Sequence, residues 1–306
     1  MKRVFIIFFI PGILFLLPVR ALGADLENGW KAYEKENYTK AFEEWKPFAD
    51  QGDAKAQFLL GALYYDGQGV MQDFRKAAEW YQRSAEQGVA LAQHAMGTMY
   101  QQGQGVPQDQ GQAAHWYQLA AAQGYSSSQS NLGLMHYLGE GVSGDYREAA
   151  KLFQVAAKQG VPEAQFLLGL MYFRGDGVPK HYGEAVKWLK FSAKKGVPEA
   201  QYLLGWMYLK GQGVSKSFDE AFKYFSLAAE QGVSSAQYRV GLMYEHDRGA
   251  RQDYVLAYKW YSLAASQKNR FAREHRDLIR AKITDEEEKK AIQLAKEWMV
   301  KHGGWE

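Results

Sequence analysis

Cysteine is absent from this chain of 306 residues, and proline is scarce, with seven residues. Without cysteine the protein can form no disulfide bond, carry out no thiol chemistry and attach no lipid through an N-terminal cysteine. The few prolines, together with an apolar fraction of 47%, disfavour a disordered or low-complexity chain. We therefore expect a folded protein whose stability comes from its core.

Long apolar runs are also lacking, except at the N-terminus. Two basic residues precede the apolar run 4–19, and Ala21 and Gly23 are small residues at the positions that a signal peptidase reads. We expect residues 1–23 to be a cleaved signal peptide, the mature protein to begin at Ala24, and its location to be the periplasm or the exterior. An uncleaved anchor is the alternative, which the shortness of the run and its two prolines disfavour.

The sequence carries no block of like charges and few signatures of chemistry. Its 37 basic and 34 acidic residues nearly balance, so nucleic acid is not an expected partner. No HExxH motif, no serine-centred elbow and no metal-ligand spacing among the seven histidines is present. Its carboxylates fall mostly at predicted helix caps and on outer helix faces, with no Glu–His pair in one region. We expect no metal, no cofactor and no catalysis.

The strongest positive signal is a repeat with a period of 36 residues. One glutamine recurs without a slip, and a glycine follows it four residues later each time. The pairs are Gln57 and Gly61, Gln93 and Gly97, Gln129 and Gly133, Gln165 and Gly169, Gln201 and Gly205, and Gln237 and Gly241. A fixed period of this length is typical of a solenoid, in which each unit buries its apolar face against its neighbours.

Each repeat predicts two helices separated by a glycine-rich turn. In the unit 53–88 the first helix has apolar residues at helical spacing and ends at Gly67, which suits a left-handed position. Asp73 then predicts the cap of the second helix, and Asp or Ser recurs at this position in the other repeats, except at His181. Five copies of the glycine loop without a following Lys-Ser or Lys-Thr indicate turns, not phosphate sites.

The pattern Ala-Gln-x-x-Leu-Gly-x-Met-Tyr, then Gly-x-Gly-Val-Pro and Asp-Tyr-x-x-Ala, resembles the Sel-1-like repeat, a relative of the tetratricopeptide repeat, over Asp53 to Lys268. The resemblance implies an all-α, right-handed solenoid superhelix of about seven helix-turn-helix repeats with a C-terminal capping helix. The predicted domains are 24–52 as a degenerate repeat, 53–268 as six repeats and 269–306 as capping helices. Some cysteine-rich relatives are linked to β-lactam hydrolysis, but their cysteines are absent here.

The repeats also preserve the two sides of the first helix to different degrees. The glutamine, the glycine and their apolar neighbours hardly change and form the packing side, whereas the opposite side varies and becomes aromatic in the later repeats. In tetratricopeptide relatives the matching positions line a concave groove that holds a peptide. We call the predicted partner-binding residues the aromatic stripe; they are Tyr137, Phe166, Leu170, Phe173, Tyr202, Trp206, Leu209 and Tyr238.

Two readings of the aromatic stripe stay open. The rings either fill the inside of a tight superhelix and touch the second helix of their own repeat, or form an exposed trough for a partner. On the second reading the protein is a non-catalytic scaffold or adaptor that binds a protein or peptide of the bacterial cell envelope, without stable membrane insertion. Alternatives are binding of peptidoglycan or regulation of an enzyme that remodels the cell wall, and, remotely, a hydrolase.

Overall fold

A computed structural model of the protein describes residues 26–303. The predicted signal peptide and its cleavage site lie outside these residues. Within them the chain is entirely helical, as the repeat pattern predicts. The helices are α1 Glu27–Glu34, α2 Tyr38–Asp50, α3 Ala54–Asp66, α4 Phe74–Glu86, α5 Ala90–Gln102, α6 Gln110–Ala122, α7 Ser126–Leu138, α8 Tyr146–Lys158, α9 Pro162–Arg174, α10 Tyr182–Lys194, α11 Pro198–Lys210, α12 Phe218–Glu230, α13 Ser234–Glu245, α14 Tyr254–Ser266, α15 Arg270–Arg280 and α16 Asp285–Lys301.

The helices pair in the order of the chain. In the first compact unit, which ends at Val155, α3 packs on α4 and α5 on α6. In the second, which begins at Ala156 within α8, the pairs are α9 with α10, α11 with α12 and α13 with α14. The second helix of each pair also contacts the first helix of the next pair inside its unit. This is the connectivity of an α-helical repeat solenoid.

Turn and cap residues set the helix ends. Gly67 ends α3 in a left-handed conformation, with φ of 70°, as its position in the sequence predicts. The Asp73 carboxylate caps α4 by accepting hydrogen bonds from the backbone N–H groups of Arg75 and Lys76. His181 does not interrupt this pattern, because its Nδ1 accepts a hydrogen bond of 3.0 Å from the Glu184 N–H and caps α10. An unprotonated imidazole nitrogen can thus replace the carboxylate.

One glycine of each first helix lies directly against a large side chain of the second helix. A Cβ atom added to Gly205 would come within 2.7 Å of the Phe225 ring, closer than any side-chain carbon can approach. The prediction that this glycine lets the two helices pack closely is confirmed. The side chains that face the six glycines are Tyr81, Tyr117, Phe153, Leu189, Phe225 and Tyr261, all almost completely buried.

The recurring glutamine joins three helices by hydrogen bonds. Gln201 Nε2 donates to the Ala193 carbonyl at 3.2 Å, and its Oε1 accepts from Gln231 Nε2 at 2.7 Å. It therefore links α11 to α10 before it and to the end of α12 after it. The same arrangement joins Gln57 to Gln87, Gln93 to Gln123, and Gln237 to Gln267.

The network is broken in the repeat that contains α9 and α10. Lys195 stands where Gln231 stands in the next repeat, and the buried Oε1 of Gln165 has no hydrogen-bond partner among the described residues. We expect Lys195→Gln to raise the free energy of unfolding by about 1 kcal/mol, since the new amide would satisfy that oxygen. Urea denaturation checks this. Lys194→Gln, which removes a neighbouring exposed lysine, is the control, and an equal gain from it would attribute the effect to charge.

The C-terminal helices close the second unit. Both α15 and α16 pack against α14, and the Trp298 ring of α16 lies 6.3 Å from that of Trp260. A capping box starts α16: the Thr284 hydroxyl accepts from the Glu287 N–H, and the Glu287 carboxylate accepts from the Thr284 N–H. This cap fixes where the final helix begins.

Candidate partner-binding site

All eight residues of the aromatic stripe lie on first helices and are half-buried. Tyr137 is on α7 in the first unit, and the other seven are on α9, α11 and α13 in the second. Neither of the two sequence-based readings describes this half-burial completely. The contacts of the individual rings show which part of a side chain is packed.

Four rings of the stripe contact the second helix of their own repeat. The Tyr202 ring lies 5.5 Å from that of Phe225, and the Tyr238 ring lies 5.8 Å from that of Tyr261. Phe173 and Tyr137 likewise contact the first residue of the following helix, Tyr182 and Tyr146. These four rings are therefore packed on the side that faces their own second helix.

Trp206 differs from the other stripe residues because two cations lie over its ring. The Arg239 guanidinium carbon is 4.7 Å from the ring centroid, and the Lys210 ammonium is 5.1 Å from it. Arg239 also lies 5.8 Å from the Tyr238 ring, so it joins α11 to α13 across the stripe. These distances are those of cation–π contacts. Arg239 has no carboxylate partner among residues 26–303, and its charge is available to an anionic ligand.

Sequence reasoning missed Arg239, although a signal for it exists. The same position in the other repeats holds Leu59, Ala95, Asn131, Leu167 and Leu203, none of which is charged. A charged side chain at a position that is otherwise apolar or neutral indicates a local function or a local partner.

In the first repeats the same side of the first helix is filled. Phe58 is 2% exposed and packs against Tyr81, and His94 is 5% exposed. His94 Nδ1 lies 2.9 Å from the Ser128 hydroxyl oxygen, and its ring contacts those of Tyr117 and Tyr125. These residues are core, so the candidate site belongs to the later repeats.

Burial of His94 makes the stability of the first unit depend on pH. Its pKa is lowered to about 4, because burial penalises the charged imidazolium. In the unfolded chain this histidine has a pKa of about 6.5, so between about pH 6.5 and 4 the unfolded chain binds a proton that the folded chain does not. The folded state therefore loses stability as the pH falls from about 6.5 towards 4.

We expect the free energy of unfolding to fall by about 2 kcal/mol between pH 8 and pH 5 through His94 alone. His94→Gln keeps a hydrogen-bonding group but does not titrate, so the difference between the two urea denaturation series isolates this contribution. Identical pH dependence in both proteins would contradict the assignment.

A buried acid at the end of α13 corrects one expectation. The sequence showed no Glu–His pair in one region, but Glu245 Oε2 lies 3.2 Å from His275 Nδ1 and accepts a hydrogen bond of 2.7 Å from the Tyr261 hydroxyl. Burial would raise the pKa of Glu245, but these hydrogen bonds, together with the nearby His246 and His275, outweigh burial and lower that pKa. Lys282 lies 3.7 Å from the other oxygen. With both oxygens engaged, the carboxylate ties α13 to α14 and α15.

Within residues 26–303 no helix is both long enough and apolar enough to cross a membrane. No three histidine, aspartate or glutamate side chains in that range come together as a metal site.

Comparison with known proteins identifies the repeat. The family model described as Sel1 repeat matches six consecutive segments, 54–89, 90–125, 126–161, 162–197, 198–233 and 234–269. No curated protein matches the chain.

Two solved structures are similar over most of the chain. A protective antigen of uropathogenic Escherichia coli strains, which displays an SLR fold, is 35% identical with a TM-score of 0.77, over 85% of this chain and 56% of the antigen. A Sel1 repeat protein from Oxalobacter formigenes is 30% identical with a TM-score of 0.71, over 79% of this chain and 97% of that protein. The chain thus spans little more than half of the antigen's length.

Proposed function

The chain belongs to the Sel1 repeat family, and from this we propose that it is a non-catalytic adaptor that binds a protein or peptide of the bacterial cell envelope along its aromatic stripe. Proteins built from Sel1 repeats generally mediate protein–protein interactions and are typically not catalytic. The partner would occupy the accessible sides of the stripe residues in the second unit.

The observation that carries this proposal is the position of Arg239. Its guanidinium lies between the rings of Trp206 and Tyr238 without a carboxylate partner among the described residues. A half-buried aromatic surface beside an unpaired arginine suits a segment with an apolar side chain next to a carboxylate, since tryptophan, tyrosine and arginine dominate binding energy at interfaces. We therefore propose that the preferred ligand is an extended acidic peptide.

Selection from a displayed library of random peptides on the full mature chain tests this function. We expect enrichment of peptides that combine an acidic with an aromatic or aliphatic residue, and loss of the enrichment on the Trp206→Ala protein. Purified peptidoglycan sacculi form a second arm, because aromatic surfaces also stack on sugar rings. Binding to sacculi without any peptide selection would favour the cell-wall alternative.

The envelope location is part of the same proposal. The basic residues, the apolar run 4–19 and the small residues before Ala24 support export, and so does the description of the Escherichia coli relative as a protective antigen. We expect mass spectrometry of the protein expressed with its full sequence to find Ala24 at the N-terminus, in the periplasmic or extracellular fraction. An intact N-terminus in the membrane fraction would favour the uncleaved anchor.

A further inference from the structure

The second helices carry an exposed apolar position that recurs with the repeat. In four repeats it is occupied by side chains exposed by 38%, 46%, 50% and 45%, which are Leu119, Val155, Phe191 and Leu227. In the last repeat the same position is Leu263, which is only 2% exposed. Large apolar residues that stay exposed at one position of successive repeats are unusual on a surface that has no partner.

The element that covers Leu263 is the protein's own α16. Trp298 and Ala295 of this helix join Leu263 and Trp260 in one apolar cluster. The Trp298 indole N–H also donates a hydrogen bond of 2.7 Å to the Glu230 carboxylate on α12. At Leu263, this recurring surface therefore binds an amphipathic helix with a tryptophan on its apolar face.

The uncovered version of this surface in the second unit lies on α10 and α12. We call it the outer ridge; it consists of Trp188, Phe191, Tyr224 and Leu227. Trp188 is 8% exposed and packs beside Phe191, with 6.0 Å between their rings. The ridge thus has a fixed base and two protruding apolar side chains.

The charges beside the outer ridge differ from those beside Leu263. The position of Glu230 is occupied one repeat earlier by Lys194, which is followed by Lys195. Both lysines are exposed and form no ion pair among the described residues, whereas Lys187 and Lys223 each lie 3.3 Å from a glutamate. The unbalanced charge is therefore positive, and an occupant with carboxylates beside its apolar face would complement it.

We propose that the outer ridge binds an amphipathic helix of a partner protein, with an aromatic side chain on its apolar face and acidic residues on its flank. The partner helix would pack on α10 and α12 in the way that α16 packs on α14. This surface belongs to second helices and is separate from the aromatic stripe, so it would be a second binding site of the adaptor.

A synthetic peptide with the sequence of residues 284–303 and the changes K296E and K301E is a suitable probe. Fluorescence anisotropy of the labelled peptide with the full mature chain should show saturable binding. Phe191→Ser together with Leu227→Ser should weaken it at least about tenfold, the usual effect of truncating central interface residues. Both residues are exposed, so melting curves should be unchanged, and Met71→Ser, at an exposed position off the ridge, should not affect binding.

The charge prediction is tested with the same peptide. Lys194→Glu together with Lys195→Glu should weaken binding about tenfold at low salt and reduce its dependence on ionic strength. Trp206→Ala should leave it unchanged, which separates this surface from the stripe and its proposed function.

Three results would overturn the proposal. The first is an absence of peptide binding. The second is binding that persists after Phe191 and Leu227 are changed: the peptide would then occupy the aromatic stripe if Trp206→Ala abolishes the binding, and would displace α16 from α14 if it does not. The third is self-association of the free chain that the Phe191→Ser change abolishes in sedimentation velocity, because the occupant would then be a second copy.

Discussion

Gly205→Val should lower the free energy of unfolding by about 3 kcal/mol, near the upper end for overpacking of a core. The new Cβ would lie 2.7 Å from Cδ1 of Phe225, and both residues are buried between α11 and α12. The three nearest atoms all belong to the Phe225 ring, which is fully buried, so we expect α11 and α12 to move apart to make room. Because repeats are stabilised mainly by their neighbours, the adjacent repeats should lose stability with them.

The control for this variant is Glu199→Val. It introduces the same β-branched side chain at an exposed position of the same helix, α11, and should cost no more than about 1 kcal/mol through helix propensity and the loss of an acid in the first turn. Urea denaturation followed by circular dichroism measures both. Equal costs would mean that close packing at the glycine is not what joins the helices.

Trp206→Ala should weaken the binding of a selected acidic peptide by about 30-fold or more, the effect expected of a central aromatic hot spot. Because the Trp206 side chain is only half-buried, the free energy of unfolding should change by about 1 kcal/mol. Isothermal titration calorimetry and thermal melts give the two quantities. The variant thus separates binding from stability.

A matched tryptophan tests whether the effect is local. Trp116→Ala removes another half-buried tryptophan, from α6 in the first unit, and should leave the peptide affinity unchanged. Arg239→Ala should weaken binding and make it less dependent on salt, because a charge-assisted contact is lost. Loss of affinity in the Trp116 variant would indicate a general effect of instability.

The repeat made the helices, turns and packing glycines predictable. Gly67 and Gly205 recur at fixed positions, and each has one steric reason to be glycine. The recurring glutamine was equally visible, but its role was not, because its partner Gln231 lies 30 residues away and their pairing depends on how α11 and α12 cross. The period can be seen in the sequence, but the contacts between repeats can be seen only in the folded structure.

The candidate site was predictable only in part. The eight stripe residues are half-buried, whereas the equivalent Phe58 and His94 are core, because Tyr81 and Ser128 from other helices contact them. Arg239 could not be predicted from its own repeat, because its role depends on its contact with Trp206 of the preceding repeat. In a solenoid, neighbours along the array decide which sequence-equivalent positions are open.

The central claim is that the aromatic stripe is open to a partner, and fluorine NMR of 5-fluorotryptophan-labelled protein tests it most directly. Trp206, assigned from the spectrum of Trp206→Phe, should show a solvent isotope shift between H2O and D2O and should shift again when the selected peptide is added. Trp45, which is 0% exposed, should show neither change. A Trp206 resonance as insensitive to solvent and peptide as that of Trp45 would contradict the account.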